Sequence, residues 1–266
     1  MPQLQKARVI VAGALGKMGR SAVETFLANS DRFELVAALV RKLGDVDAST
    51  KKEFEAHGVR LIDKLEPELQ KGNIDILVEL TTPDSVFHNS KLALNNGVRP
   101  VIGATGLSDD DINDLTRLSL KNSLGTIIAP NFAIGAILMM KFAAQASKYM
   151  DRYEIIEKHH EAKIDSPSGT AIKTAKLISE SAGKKKNKSP HAGEISRGEL
   201  HYGVPIHSLR LQGYVASQEV IFGGQGQTLT INHETIDRSS FMPGILLASE
   251  KVMDLDRLVY GLENLI

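Results

Sequence analysis

Six residues between positions 159 and 170 form the densest group of chemically active side chains in the sequence. They are His159, His160, Lys163, Ser168, Gly169 and Thr170. Histidine exchanges protons near neutral pH, and a lysine ammonium supplies both a proton and positive charge. The last three residues open a predicted helix over residues 171–182, whose N-terminal N–H groups and two hydroxyls would attract an anion. The segment therefore predicts proton transfer beside a bound carboxylate or phosphate.

Other interpretations of this segment stay open. The two histidines with Glu161 resemble a set of metal ligands, but no further ligand is spaced to complete a site, and we predict no metal. The segment is also compatible with an exposed polar loop that ends in an ordinary helix cap. Adjacent residues of a strand point to opposite sides, so His159 and His160 need not share a role. We predict no role for the other histidines, which are His57, His88, His191, His201, His207 and His233.

A glycine-rich turn near the N terminus predicts a phosphate site. Gly13, Gly16 and Gly19 follow the apolar residues 9–12 and lead into a predicted helix over 18–28, with Lys17 and Arg20 nearby. Such glycines let the backbone approach a pyrophosphate at a helix N terminus, although Ala14 departs from the strict G-x-G-x-x-G spacing. The alternative is a turn whose glycines serve packing only.

The end of the second predicted strand bears on the choice of coenzyme. An acid commonly stands there and binds the ribose hydroxyls of NAD, but here Val40 is followed by Arg41 and Lys42. Two cations would pair with the 2′-phosphate of NADP, so we predict NADPH, with NADH as a weaker substitute. The alternative is that both are merely solvated charges. The turns at 81–83 and 103–106 also follow predicted parallel strands, so either they line the nicotinamide or they are ordinary connections.

Strands and helices alternate through the first half of the chain. Predicted strands cover 8–12, 33–40, 74–80, 99–102 and 126–129, and helices lie between them, which indicates a parallel sheet. Beyond residue 131 we predict a helix over 134–150, a strand over 153–157, a helix from about 170 to 182, consecutive strands over 206–235 and a helix over 241–264. The fold class is thus α/β, with a Rossmann-like doubly wound parallel sheet, and a second α+β domain. We expect a dinucleotide-binding domain over 1–130, a second domain over 131–240, and a C-terminal helix over 241–266 that packs back on the first.

The composition narrows the classes of function. The 266 residues include no cysteine, which excludes disulfides, thiolate nucleophiles and cysteine-held metal sites. The 32 basic residues balance 32 acidic ones, which argues against general binding to nucleic acid or a membrane surface. No apolar run approaches the length of a membrane span, and we expect a cytoplasmic protein. The lysine-rich residues 184–188 are predicted to form a solvated loop.

The glycine turn at 13–20 and the block 159–171 together resemble the 4-hydroxy-tetrahydrodipicolinate reductases, also called dihydrodipicolinate reductases, of lysine biosynthesis. Residues 103–106, 129–132 and Arg238 are similar to family positions as well. The resemblance implies reduction of a cyclic unsaturated dicarboxylate by NADPH or NADH, and a second domain whose open mixed sheet builds a homotetramer.

The resemblance also implies site residues. It makes His159 the general acid/base and Lys163 a proton donor, with substrate contacts from His160, Ser168, Gly169 and Thr170. The implied coenzyme contacts are Gly13, Gly16, Lys17, Met18, Gly19, Gly103, Thr105, Ala129, Asn131, Phe132 and Arg238. Three positions depart from some members, which carry an acid at Val40, an arginine at Thr82 and a histidine at Ala162.

Two other functions share features with this sequence. Aspartate-semialdehyde dehydrogenases have a similar cofactor-binding domain but need a cysteine nucleophile, which this chain lacks. A non-catalytic NADP(H)-binding regulator is the remaining alternative, and the intact pair of His159 and Lys163 argues against it.

Overall fold

The computed structural model describes residues 6–183 and 194–266. The predicted solvated loop at 184–188 lies outside these residues, as does His191. The chain forms two compact units, one comprising Met1–Phe132 with Phe241–Ile266 and the other Ala133–Ser240. No helix in the described part of the chain is both long and apolar enough to cross a bilayer.

The elements are numbered in chain order. The strands are β1 (Ala7–Ala12), β2 (Phe33–Leu39), β3 (Arg60–Ile62), β4 (Ile76–Glu79), β5 (Arg99–Ile102), β6 (Thr126–Ile128), β7 (Arg152–His159), β8 (Glu199–His201), β9 (Val204–Arg210), β10 (Ala216–Gly224), β11 (Gln227–Thr235) and β12 (Leu258–Tyr260). The helices are α1 (Lys17–Ala28), α2 (Ala48–Ala56), α3 (Glu66–Leu69), α4 (Pro83–Asn95), α5 (Asp109–Asn122), α6 (Ile134–Ala146), α7 (Gly169–Ala182) and α8 (Met242–Lys251).

The first unit is built on a seven-stranded parallel sheet in the order β12-β6-β5-β4-β1-β2-β3. Its central strands are apolar on both faces, and Val9, Ile10, Val11 and Ala12 are all fully buried. A strand buried on both faces needs helices on both sides, which is why the sequence alternates strands with helices here. The order reverses between β1 and β4, and ligands of such sheets bind beyond the carboxyl ends of the strands at that point.

The second unit is built on a five-stranded mixed sheet in the order β11-β10-β7-β9-β8. Strands β7 and β9 run parallel, and the other pairs are antiparallel. The inward-facing side chains of β7 and β10, among them Ile155, Val220 and Phe222, are fully buried, and α6 and α7 pack on this sheet. The predicted fold class, a Rossmann-like parallel sheet followed by a separate α+β unit, is therefore confirmed.

The prediction of one C-terminal helix is wrong beyond Lys251. Helix α8 ends there, Leu255 has extended backbone (φ −95°, ψ 148°), and β12 adds a parallel strand beside β6. The apolar residues at 252, 255 and 259 fit a helical period, but a strand of three residues is too short to show its own period of two. Pairing with an open sheet edge, which the local sequence does not contain, decides the outcome.

Three elements between residues 41 and 73 had no prediction. They are α2, β3 and α3, which place β3 at the edge of the sheet beside β2. In the second unit α6 ends at Ala146, four residues before the predicted end. Strand β7 continues two residues beyond its predicted end, which places His159 on the strand.

Helix α5 offers a test of the core of the first unit. Leu115 is fully buried, whereas Leu120 on the same helix is 56% exposed. Leu115→Ala should lower the free energy of unfolding by about 2–5 kcal/mol, because it leaves a cavity among α4, α5, β5 and β6. Leu120→Ala should change it by less than about 0.5 kcal/mol. Urea unfolding followed by circular dichroism measures both, and equal losses would contradict the assignment of α5's buried face.

Candidate active site

Glycines at the turn between β1 and α1 allow close backbone contacts that a side chain would prevent. Gly13 has left-handed backbone (φ +77°), and a Cβ atom there would lie 2.6 Å from the carbonyl oxygen of Leu80. A Cβ atom on Gly19 would lie 2.0 Å from the carbonyl oxygen of Gly13, so α1 presses directly on the turn. Gly16 precedes α1 and provides no side-chain cap, so the N-terminal N–H groups of the helix have no capping side chain, which suits an anion site.

A cavity of about 770 Å³ lies beside this turn, at the carboxyl ends of β1, β2 and β4. It is lined by Gly13, Leu15, Gly16, Leu39, Val40, Arg41, Lys42, Asp45, Val46, Asp63, Leu80, Thr81, Thr82, Asp84, Ser85 and Asn89. Four of these were predicted coenzyme contacts: Gly13, Gly16, Arg41 and Lys42. The structure thus brings the glycine turn and both cations to one cavity, and that donor set fits the phosphates of a dinucleotide.

Three acids, Asp45, Asp63 and Asp84, line the cavity together with these cations, and the sequence patterns pointed to none of them. Asp45 Oδ1 lies 3.9 Å from Lys42 Nζ, and both side chains are exposed. The carboxylate of Asp63 accepts a hydrogen bond from the backbone N–H of Leu43 at 3.1 Å. Asp63 follows β3, whose three residues gave no sequence signal, so its position became visible only in the structure.

A buried acid fixes another wall of the cavity. The Glu79 carboxylate, fully buried at the end of β4, accepts hydrogen bonds from the Thr81 backbone N–H at 2.8 Å and from Asn89 Nδ2 at 2.9 Å. Burial raises the pKa of Glu79, and the hydrogen bonds from Thr81 and Asn89 oppose the rise only in part. Thr81 and Asn89 both line the cavity, and Glu79 does not. Glu79 therefore holds two residues of the cavity wall in place from behind.

The other predicted coenzyme residues do not line this cavity. Lys17 is exposed and Met18 is half-buried at the start of α1, and Thr105 is exposed in the turn after β5. A Cβ atom on Gly103 would lie 2.5 Å from the Phe132 ring, so this glycine is required for packing. The remaining predicted contacts are Gly19, Ala129 and Phe132, which are buried, Asn131, which is half-buried, and Arg238, which belongs to the second unit. Their contacts with a coenzyme stay predictions.

In the second unit, the two histidines lie in different surroundings at the end of β7. Glu157 and His159 stand two residues apart and share one face of the strand, whereas His160 follows the strand end and is exposed. His159 Nδ1 lies 2.5 Å from Glu157 Oε2. Within residues 6–183 and 194–266 no protein atom hydrogen-bonds His159 Nε2, and no group of three or more His, Asp or Glu side chains is placed to hold a metal.

The Glu157 carboxylate is the centre of this arrangement. Its side chain has no exposed surface, and the guanidinium of Arg210 donates to both oxygens, at 2.8 and 2.9 Å. The backbone N–H of Ser168 donates to Oε1 at 3.2 Å. Burial alone would raise the pKa of Glu157, but hydrogen bonds from His159, Arg210 and Ser208 outweigh it and lower the pKa to about 2. The carboxylate is therefore ionised throughout the physiological range.

Lys163 lies on the loop after β7. Its Nζ donates to both carboxylate oxygens of Asp165 at 2.7 Å, and its backbone N–H donates to the carbonyl of His160 at 3.1 Å. The hydrogen bond from Lys163 is the main reason that the pKa of Asp165 is lowered. The Lys163 side chain is only 20% exposed, whereas its partner Asp165 is 63% exposed, so the pair runs from a half-buried ammonium to a carboxylate at the surface.

The start of α7 matches the predicted anion site in part. Ser168 is the N-cap, and its hydroxyl accepts from the Ala171 backbone N–H at 3.2 Å, so this side chain is used by the helix. Gly169 is exposed with open space where a Cβ atom would stand, and Thr170 is half-buried. The helix N terminus itself, rather than the Ser168 hydroxyl, is what the structure offers to an anion.

Sequence reasoning missed Glu157 and Arg210. The first carried a usable signal, because a residue two positions before His159 on a strand must share its face. Arg210 carried none, since it reaches the site from β9 through the register in which His159 lies opposite Arg210. Ser168 and His159 are brought together through Glu157. Lys163 is connected to them through Asp165, whose backbone carbonyl accepts a hydrogen bond from Arg210.

Comparison with known proteins covers both units. Residues 7–132 match the model for the N terminus of dihydrodipicolinate reductase, and residues 135–266 match the model for its C terminus. A 4-hydroxy-tetrahydrodipicolinate reductase from Geobacillus thermodenitrificans is 49% identical over 97% of this chain and 98% of its own. The corresponding protein from Geobacillus kaustophilus is 47% identical over the same shares.

A solved structure agrees. The dipicolinate-bound dihydrodipicolinate reductase from Paenisporosarcina sp. TG-14 superposes with a TM-score of 0.85 at 43% identity, covering 98% of this chain and 100% of that one. A myo-inositol dehydrogenase from Corynebacterium glutamicum, at 14% identity and a TM-score of 0.62, shares the fold alone. With both family models matched and relatives near 50% identical over almost the whole length, the chain belongs to the dihydrodipicolinate reductase family.

Proposed function

We propose that this protein reduces 4-hydroxy-tetrahydrodipicolinate, or its dehydrated form dihydrodipicolinate, to tetrahydrodipicolinate in the diaminopimelate route to lysine, and that it prefers NADPH. The observation that carries the chemistry is the second-unit cluster of His159, Lys163 and the N terminus of α7. It supplies exchangeable protons next to an anion site, which is what reduction of a ring dicarboxylate requires. The relative solved with dipicolinate, a planar ring dicarboxylate, supports this class of ligand.

The reaction needs one hydride and one proton for each ring. A bound reduced nicotinamide supplies the hydride. The conjugated C=C–C=N system of the ring accepts it and becomes an enamine-type anion, and a proton on the neighbouring carbon completes tetrahydrodipicolinate. When the ring carries the hydroxyl group, a molecule of water leaves as well. The protein's task is therefore to hold the two carboxylates, to exclude water and to deliver one proton at the right atom.

His159 and Lys163 are the two candidate proton donors. His159 offers Nε2, which makes no hydrogen bond with any described protein atom. Lys163 offers an ammonium held by Asp165. The α7 N terminus with Gly169 and Thr170, together with His160, supplies positive potential for the carboxylates, and stabilisation of developing charge is commonly the largest catalytic contribution.

Replacement of the proposed proton donors should separate chemistry from coenzyme binding. His159→Ala or Lys163→Ala should lower kcat by roughly 10²–10⁴-fold, the range that a general acid or base contributes. The dissociation constant for NADPH, read from nicotinamide fluorescence, should stay unchanged because the coenzyme cavity lies in the first unit. Turnover is followed as loss of the near-ultraviolet absorbance of NADPH, with substrate made by the preceding synthase.

Matched controls are available for both variants. His57→Ala and Lys176→Ala alter a histidine and a lysine to which the proposal gives no role, and both should retain the parental kcat. If losses at His159 and Lys163 were confined to NADPH binding, the proposed roles would be wrong. If the parent oxidised no NADPH at any substrate concentration, the non-catalytic NADP(H)-binding regulator would replace the enzyme.

The preference for NADPH is supported by the cations at the end of β2. Arg41 and Lys42 line the coenzyme cavity, and Val40 stands where an acid would repel a 2′-phosphate. Asp45 and Asp63 line the same cavity and moderate the positive potential, which favours measurable use of NADH as well.

Removal of these cations should change the preference. In Arg41→Ala/Lys42→Ala, KM for NADPH should rise roughly 10-fold or more, as expected for the loss of charged hydrogen bonds worth about 1.5–3 kcal/mol. KM for NADH should change much less, because NADH lacks the 2′-phosphate. Lys51→Ala, an exposed lysine on α2, is the control and should leave both values unchanged. Equal losses with the two coenzymes would refute the proposed phosphate contact.

We extend the proposal to assembly and location. The face of the five-stranded sheet opposite Ile155 carries the half-buried Ile156, Leu209 and Ile221. Such a face suits an interface between copies of the chain, and we infer a homotetramer built on this sheet. We place the protein in the cytoplasm, where it draws on the cell's reduced nicotinamide, with no nucleic-acid or membrane partner.

The assembly has a direct test. Sedimentation equilibrium should give four times the mass of the chain, and Ile156→Asp/Ile221→Asp should dissociate the assembly because each charge would be buried in the interface. Phe142→Asp, at a 56% exposed position on α6, is the control and should leave the mass unchanged. A parental mass equal to one chain would refute the assembly.

A further inference from the structure

Glu157 is a charged side chain without access to any ligand. It has no exposed surface, and both of its oxygens are occupied, one by His159 and Arg210 and the other by Ser168 and Arg210. A carboxylate so enclosed cannot touch the substrate or exchange a proton with it. Any part that it plays in the reaction must pass through a neighbour, and His159 is the neighbour with a proton to exchange.

The contact between Glu157 and His159 dictates which ring nitrogen carries hydrogen. An ionised carboxylate accepts hydrogen bonds and donates none, so the atom that faces Oε2 at 2.5 Å must be an N–H. His159 is then protonated at Nδ1 whenever it is neutral, and Nε2 is its acceptor. When His159 is charged, the proton at Nε2 is the one that can leave, because the Nδ1 proton is held in a charge-assisted hydrogen bond.

Arg210 keeps Glu157 in the form that this orientation requires. A buried carboxylate without a cation would take up a proton and become a donor, and it would then fit the other tautomer of His159 equally well. The guanidinium fork meets both oxygens, and Arg210 is itself fixed by bonds to the carbonyls of Leu209 at 2.8 Å and Asp165 at 2.7 Å. The pair is thus anchored on the strand opposite His159 as well as on the loop that carries Lys163.

The same carboxylate also holds the start of the anion site. Its Oε1 accepts from the backbone N–H of Ser168, the N-cap of α7. One rigid group therefore sets both the direction of the His159 ring and the position of the helix N terminus. A shift of about 1 Å in such a group is enough to cost an enzyme much of its rate.

We propose that Glu157, clamped by Arg210, is a positioning residue that holds His159 in the Nδ1–H tautomer and presents Nε2 to the substrate. The inference rests on the proposed role of His159 and adds to it the atom that exchanges the proton and the pair that selects this atom. In the reduction, the proton that ends on the ring carbon leaves Nε2, that N–H bond breaks, and the neutral Nδ1–H form remains, still bonded to Glu157.

The first test replaces the charge while keeping the shape. In Glu157→Gln the amide can donate to Nδ1, which stabilises the tautomer with hydrogen on Nε2 and removes the partner of the charged ring. We expect kcat to fall by roughly 10²-fold or more, while KM for the ring substrate changes little and NADPH binding not at all. Glu157→Asp, which keeps the charge, should recover part of the lost rate.

A buried Glu–Arg pair in the first unit provides a matched control. Glu68 is also nearly fully buried, and Arg60 donates to both of its oxygens while Lys71 donates to one. No histidine among the described residues hydrogen-bonds to it. Glu68→Gln should reduce stability without reducing kcat. A comparable loss of kcat in both variants would assign the effect to loss of a buried ion pair and would overturn the proposal.

A double variant identifies the residue through which Glu157 acts. Glu157→Gln keeps an amide oxygen that can accept from the Ser168 N–H, so its effect on the rate should pass through His159 alone. His159→Ala combined with Glu157→Gln should then be no slower than His159→Ala alone. Additive losses would overturn the inference while leaving His159's own role intact. If His159→Ala alone retained full kcat, the role proposed for His159 would fail first, so the two failures are distinguishable.

The tautomer has a readout that does not depend on activity. Nitrogen-15 resonances of the His159 ring, assigned by their absence in His159→Gln, should show hydrogen on Nδ1 in the parental protein at neutral pH. In Glu157→Gln the hydrogen should move to Nε2 or divide between the two nitrogens. Hydrogen on Nε2 in the parental protein would overturn the proposal whatever the kinetic results.

Discussion

The second unit depends on how one buried carboxylate is compensated. An unpaired ionised group inside a protein is costly enough that it normally becomes neutral instead. Glu157 remains charged because a guanidinium fork, an imidazole and a backbone N–H together replace its water. Each partner is in turn held in place, so the requirement to satisfy one charge fixes a strand, a loop and a helix start. The geometry of the proposed proton donor follows from that requirement.

The first unit depends on a different constraint, which is the close approach of backbone to backbone. Gly13 and Gly19 bring the turn and α1 within distances that no side chain allows. The result is a helix terminus at a cavity that Arg41 and Lys42 also line. Here helix N–H groups and two exposed cations line one cavity, whereas in the second unit the protein buries a charge of its own. The two units thus use charge in two different ways.

Local sequence patterns could predict the elements that these constraints require, and little more. Apolar runs and glycine spacing predicted β1, α1 and the phosphate turn, because these features arise from neighbouring residues. The roles of Asp63 and Arg210 could not be predicted, because each reaches its site only when its strand, or the strand before it, pairs with a strand distant in the sequence. The C-terminal strand β12 was not predicted for the same reason, because an open sheet edge is a tertiary feature. Glu157 is the instructive exception, because its spacing from His159 was readable and was not used.

The zero net charge and the absence of cysteine acquire meaning once the sites are known. A chain with 32 basic and 32 acidic residues has no overall field to draw in a dicarboxylate or a dinucleotide. Any attraction for these anions must therefore come from a local excess of positive charge, and acids lie close to two of the cations concerned, Asp165 to Lys163 and Asp45 to Lys42. A hydride supplied by a coenzyme makes a protein nucleophile unnecessary. What remains for the chain is placement of charge and of one proton, and a buried carboxylate behind an imidazole serves both without reacting itself.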